Sequence, residues 1–261
     1  SLQRPGDPEY HKARTIWNAM IDRKPAYIAR CVSTEDVVAS VRFAREHDLL
    51  VSVRGGGHNV AGNAVCDDGL MIDLTLMNNV EIDPAKRRVI AQGGCTLGTI
   101  DKASHEHGLA VPAGIVSETG VGGLALGGGV GWLVRKYGMT CDNLISAEVV
   151  TANGQVLTAS AEENADLYWG LRGGGGNFGV VTSFEFQAHP VKTVIGGMII
   201  HPREAAHDVI RFYREFTKQA PLELTAYCAL LSTPDGVPVT AIIGCYCGDI
   251  AASEAVLKPL R

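Results

Sequence analysis

Gly120-Val121-Gly122-Gly123-Leu124-Ala125-Leu126-Gly127-Gly128-Gly129-Val130-Gly131 places seven glycines in twelve positions, and how it is read decides the fold. Its first six residues match the dinucleotide fingerprint G-x-G-x-x-G/A. Asp142 lies about 20 residues further on, where that fold puts its ribose acid. Such a fingerprint follows a buried strand and opens a helix. Here it follows Pro112-Ala-Gly-Ile-Val-Ser-Glu-Thr119 and runs into Gly127–Gly131, where each glycine costs a helix up to about 1 kcal/mol relative to alanine. The stretch therefore reads as a glycine loop and not as the turn of a Rossmann unit.

A second glycine loop stands upstream, Arg54-Gly55-Gly56-Gly57-His58-Asn59, directly after the apolar run Leu49–Val53. Three glycines after a strand allow successive backbone N–H groups to converge on an anion. A tight turn with a solvent-facing His58 is the plainer alternative. No Gly-Lys dipeptide occurs in the chain, so a P-loop is excluded. Two such loops suit a long ligand held along its backbone, and cations nearby are few (Arg54, Arg135, Lys136). That chemistry fits a cofactor containing a diphosphate.

Composition narrows the classes further. Of 261 residues, 46% are hydrophobic and 20% charged, which is globular composition. The net charge is −5 and no basic patch stands out, so no nucleic-acid partner is expected. No apolar run approaches the ~20 residues of a membrane helix. The seven cysteines show neither a disulfide framework nor zinc spacing, and read as reduced, mostly buried thiols of a cytoplasmic protein. His105-Glu-His107 lacks the spacing of a helical zinc pair, and Cys245-Tyr-Cys247 fits inert packing on a strand. No metal site is expected. Gly114–Gly120 is too long for a serine nucleophile elbow.

Ser33 caps a helix carrying Val37, Val41 and Ala44, and Gly69–Leu76, Val80–Ile82 and Val89–Ala91 read as strands. Thr96–His107 is a helix closed by Gly108. Asn153-Gly154 between Glu148–Thr151 and Val156–Thr158 marks a hairpin. A short helix (Asp166–Leu171) precedes Arg172–Gly179 and a strand, Val180–Phe186. The pattern changes at His189-Pro190. Beyond it come strand 194–200, helix 204–217, strands 224–231 and 239–246, and helix 251–257, an antiparallel α+β pattern. The expected division is 1–189 and 190–261, the second part incomplete and the native chain continuing past Arg261.

Four motifs in order carry a resemblance. They are Ser52–Gly62 with Arg54-Gly-Gly-Gly-His58, Gly120–Trp132, Arg135–Asn143, and Asp166–Thr182 with Arg172-Gly-Gly-Gly-Gly-Asn177-Phe-Gly179. Over residues 5–190 the chain resembles the FAD-linked oxidases of the vanillyl-alcohol oxidase type, with a PCMH-type FAD-binding domain, and within them the berberine-bridge-enzyme-like branch. The resemblance implies an α+β fold in two subdomains around an extended FAD, followed by a substrate domain. It implies that His58 bonds covalently to the flavin 8α-methyl, and that the Arg54, Gly55, Gly56, Gly57 and Asn59 backbone, with Gly62 beyond it, holds the pyrophosphate. Gly114, Thr119, Gly120, Gly122, Gly123, Leu124, Gly127, Gly129 and Gly131 would line the flavin. Asn143, Gly179 and Val181 would lie toward its ribityl or adenine end.

Many relatives carry a second link from a cysteine, and the matching position here is Val116, so one covalent bond is expected. The position that governs oxygen access falls near Thr119 and leaves oxidase or dehydrogenase open. Tyr137, following the glycine loop, is a candidate active-site residue, and packing is its plainer role; the catalytic base is unassigned. The implied reaction moves a hydride from a C–H beside O or N of a small substrate to flavin N5, with O₂ reoxidising the flavin. The alternatives are a non-catalytic flavin-binding module and an NAD-dependent dehydrogenase using Gly120–Ala125. Substrate and oligomeric state stay open.

Overall fold

Ser33 has extended backbone, and its hydroxyl accepts from the Asp36 amide at 3.4 Å, so the predicted helix starts at Thr34. This capped start recurs at Thr96, whose hydroxyl accepts from the Thr99 amide. The computed structural model describes residues 1–260. They divide into two units, Ser1–Val130 with Met139–Pro190, and Gly131–Gly138 with the chain from Val191 onward. The second unit thus begins near the predicted break but also claims an eight-residue segment from inside the first, a departure from the single cut expected after residue 189.

The first unit opens with β1 (Leu2–Gln3), α1 (Tyr10–Ala13), β2 (Tyr27–Arg30), α2 (Thr34–Glu46), β3 (Val51–Arg54) and β4 (Leu70–Asp73). The sheet order is β1-β2-β4-β3, with β2, β4 and β3 parallel. Every residue of central β4 is fully buried. Leu70 and Ile72 face Val37, Val41 and Ala44 of α2, while Met71 faces Tyr10, Ala13 and Ile16. A strand covered on both faces cannot show an apolar-polar alternation, which is why Leu-Met-Ile reads as a run.

Next come β5 (Val80–Asp83), β6 (Arg88–Gln92), α3 (Leu97–His105), β7 (Leu109–Ala110), α4 (Val121–Leu126) and α5 (Val134–Tyr137), which lies in the second unit. They are followed by β8 (Leu144–Val150), β9 (Val156–Ser160), α6 (Ala165–Leu171), β10 (Val180–Gln187) and β11 (His189–Pro190). The order β5-β6-β10-β8-β9 is antiparallel throughout. Phe184 and Phe186 of β10 are buried and stacked at 5.8 Å. Leu97 and Ile100 of α3 and Val121 and Ala125 of α4 share their core. The β8–β9 hairpin turns at Gly154, whose φ of +74° only glycine adopts without strain.

The second unit adds β12 (Ile195–Pro202), α7 (Ala206–Thr217), β13 (Leu224–Ser232), β14 (Pro238–Tyr246) and α8 (Ser253–Leu257). Its sheet is antiparallel, β12-β14-β13. Val209, Leu224, Ile242, Tyr246 and Leu260 form its core. All seven cysteines are free thiols, and burial pushes Cys31 and Cys95 up to about 11, which keeps them unreactive. No described helix is long and apolar enough to cross a membrane.

Candidate cofactor site

The two glycine loops cross. A Cβ on Gly56 would lie 2.2 Å from the Gly120 nitrogen, and one on Gly120 would lie 2.2 Å from the Gly56 nitrogen. Neither position has room for a side chain. Gly55 and Gly122 both approach the Gly93 carbonyl, at 3.0 and 3.3 Å from their would-be Cβ atoms. A Cβ on Gly93 would in turn lie 2.3 Å from the Val181 carbonyl oxygen. Residues 55–56, 93, 120–122 and the start of β10 therefore meet backbone to backbone, joining Gly55, Gly56, Gly120, Gly122 and Val181. Sequence reasoning passed over Gly93; its signal was the Gly93-Gly94 pair just after a predicted strand.

Buried charge anchors the first loop. Arg54, at the end of β3, makes a fork to Asp73 at the end of β4, Nε to Oδ1 at 3.2 Å and Nη2 to Oδ2 at 2.7 Å. Its Nη1 donates to the Thr15 carbonyl at 3.0 Å. Asp73 is fully buried, accepts from the Thr75 amide and has Arg30 at 3.4 Å. The Arg54 guanidinium is thus committed to the protein, and only its backbone is available to a ligand. Removing one partner of such a pair costs several kcal/mol, about 3–5, because the other is left buried and unpaired.

Among the described residues, none of the amides from Gly55 to Asn59 donates to a protein acceptor. Gly55 and Gly56 are half-buried and Gly57 is buried, at a φ of +71°. Buried N–H groups are nearly always paired, so a row of open donors marks a place built for an acceptor. The donor set suits a diphosphate. His58 follows, half-buried, its ring stacked on Trp17 at 5.5 Å. Exposed Asn59 accepts from Gly62 and Asn63 amides and shapes the return of the loop. Gly62, at φ +77°, packs under Ile21.

Gly120 also bridges Thr96 and starts α4, a short helix that the glycine count did not predict. Val121, Ala125 and Leu126 are buried, which outweighs the poor propensity of its glycines. Gly123 lies exposed with nothing within 4 Å of a would-be Cβ, and Gly127 caps the helix. Gly114 packs under Leu124, and the Thr119 carbonyl accepts from Leu97. Gly129, at φ +82°, leaves no space for a side chain beside Thr140.

The remaining candidates have other neighbours. Gly131 and Tyr137 belong to the second unit, where Arg135 of α5 donates to the carbonyls of Ala220, Pro221 and Leu224. Asn143 is buried; its Nδ2 donates to Met139, and its Oδ1 meets His189 Nε2 at 2.6 Å. Burial, and Arg87 second, hold His189 below the ordinary histidine value. Gly179, at φ +142°, lets β10 start against the Val150 carbonyl.

A sequence profile described as the FAD binding domain matches residues 25–160, a span that contains both crossing loops. The chain belongs to the FAD-linked oxidases of the vanillyl-alcohol oxidase type. Among curated relatives of this family, an FAD-linked oxidoreductase of Dictyostelium discoideum is 39% identical over 92% of this chain and 53% of its own. The (R)-6-hydroxynicotine oxidase of Paenarthrobacter nicotinovorans is 42% identical over 75% of this chain and 43% of its own. The crystal structure of 6-hydroxy-D-nicotine oxidase from Arthrobacter nicotinovorans superposes with a TM-score of 0.95 at 33% identity, covering 100% of this chain and 58% of that one. A chitooligosaccharide oxidase follows at 0.90 and 32%, covering 100% of this chain and 56% of that one. The chain spans about half the length of the curated relatives it matches.

Proposed function

We propose that this chain holds FAD for an oxidase that takes hydride from a C–H bond beside oxygen or nitrogen in a small organic substrate. The observation that carries this reading is the crossing of Gly56 with Gly120, where a row of open amides from Gly55 to Asn59 sits beside backbone that a single Cβ would block. In this reading those amides hold the pyrophosphate, with Gly62 shaping the loop. Gly114, Thr119, Gly120, Gly122, Gly123, Leu124 and Gly127–Gly131 line the isoalloxazine. Asn143, Gly179 and Val181 serve the ribityl or adenine end, Asn143 through its backbone, since its amide already serves Met139 and His189. His58 forms a single covalent bond to the 8α-methyl. Tyr137 is a candidate for contact with substrate. When bound, the flavin supplies a hydride acceptor at N5 and, once reduced, an electron donor to O₂.

The nicotinamide alternative finds less support. Residues 120–125 do not open the helix of a parallel βαβ unit: Gly120 forms an antiparallel bridge to Thr96. Asp142 pairs with Arg172 at 3.3 Å and caps Met139. The reading is tested by photoreducing the flavin-loaded protein without air and then admitting air. Return of the oxidised spectrum, with turnover on a panel of hydroxynicotines, oligosaccharides and alcohols, is expected. A reduced flavin that persists in air would overturn the oxidase reading, and reoxidation without any turnover would favour a binding module.

A further inference from the structure

We infer that Trp17 is a positioning residue for the attachment of FAD to His58, an inference that rests on the flavin reading above. The indole and imidazole planes lie within 23° of each other at 5.5 Å. Trp17 is 62% exposed, so burial does not account for where its ring sits. The backbone does. The Trp17 amide donates to the Gly57 carbonyl at 3.1 Å, one residue before His58. Asn18 Nδ2 donates to the Val60 carbonyl at 2.8 Å, and Arg23 Nη1 to those of Gly62 and Val65, each at 3.0 Å. Arg54 Nη1 reaches back to Thr15. Segment 15–23 and loop 57–65 are thus tied on both sides of the stacked pair.

Attachment requires this kind of constraint. One His58 ring nitrogen forms a C–N bond to the 8α carbon. One methyl C–H bond and the imidazole N–H break, and the two protons and two electrons released reduce O₂ to H₂O₂. The nitrogen lone pair lies in the ring plane, so the plane must be set for the bond to form. Among the described residues His58 has no hydrogen bond or ion pair. An offset stack restrains the plane without occupying either nitrogen, which an orienting hydrogen bond would do.

Wild type, Trp17→Ala and Trp17→Phe apoproteins, prepared from riboflavin-starved cells, would be mixed with FAD in air. Intact mass would follow covalent attachment, and flavin fluorescence would report non-covalent affinity. Trp17→Ala should attach FAD roughly tenfold or more slowly, with non-covalent Kd within about threefold of wild type, and Trp17→Phe should recover most of the rate. Attachment by Trp17→Ala at the wild-type rate would overturn the inference, and so would a matching loss of non-covalent affinity, which would mark a merely structural role. A wild-type protein that binds FAD without gaining its mass would instead overturn the His58 bond itself, and this inference with it.

Discussion

At Gly56 and Gly120 two backbones touch, and the proposed cofactor site is built around that contact. Gly56→Ala places a Cβ against backbone that cannot move like a side chain. We expect a loss of about 1–3 kcal/mol or more in urea unfolding, together with loss of FAD binding. Gly176→Ala, with nothing within 4 Å of its Cβ, should stay within about 0.5 kcal/mol of wild type. Equal stability of the two variants would contradict the crossing. His189 supplies a pH signature. Burial, then Arg87, lowers its pKa, so the folded chain keeps it neutral where the unfolded chain protonates. The associated stability is present above the ordinary value of about 6.5 and is lost as pH falls from there through the lowered folded value. Urea midpoints should therefore drop more between pH 7 and about pH 5 in wild type than in His189→Gln, whose amide can still donate to Asn143. The glycine-rich loops were legible in the sequence because φ > 0 and close approach select glycine. Their meeting was not, nor was the Arg54–Asp73 fork, because contacts between distant positions leave no local pattern.

Among the elements, capped helices and alternating or β-rich strands were legible: α2 begins where Ser33 predicts, and the β8–β9 hairpin turns at Asn153-Gly154. Short pieces were missed. β1, β7 and β11 have two residues each, too few for a periodicity to show, and β2 (Tyr27–Arg30) was missed as well. α4 is helical because its buried face packs, against its own propensity. It offers a test that separates folding from binding. Gly123→Ala should stabilise the flavin-free protein by up to about 1 kcal/mol, since the position is open and helical. In the proposed site the same methyl faces the flavin, so FAD affinity should fall. Thermal unfolding and flavin titration of one preparation check both signs, and unchanged or tighter FAD binding would remove Gly123 from the site.

For the whole molecule, the glycine-rich motifs, the antiparallel second unit and the acidic, cofactor-binding character were legible from order and composition. The assignment of Gly131–Gly138 to the second unit was not, because it depends on Arg135 reaching three carbonyls nearly ninety positions along the chain. With this segment, Tyr137 and Gly131 fall to the second unit, and His58 to the first. Covalent FAD on His58 can be checked by the intact mass and visible spectrum of the purified, acid-denatured protein beside His58→Ala. An FAD-sized mass increment with retained flavin absorbance is expected in wild type, and neither in the variant. A bare 27.7 kDa chain without colour, or a variant that keeps acid-stable flavin, would contradict it.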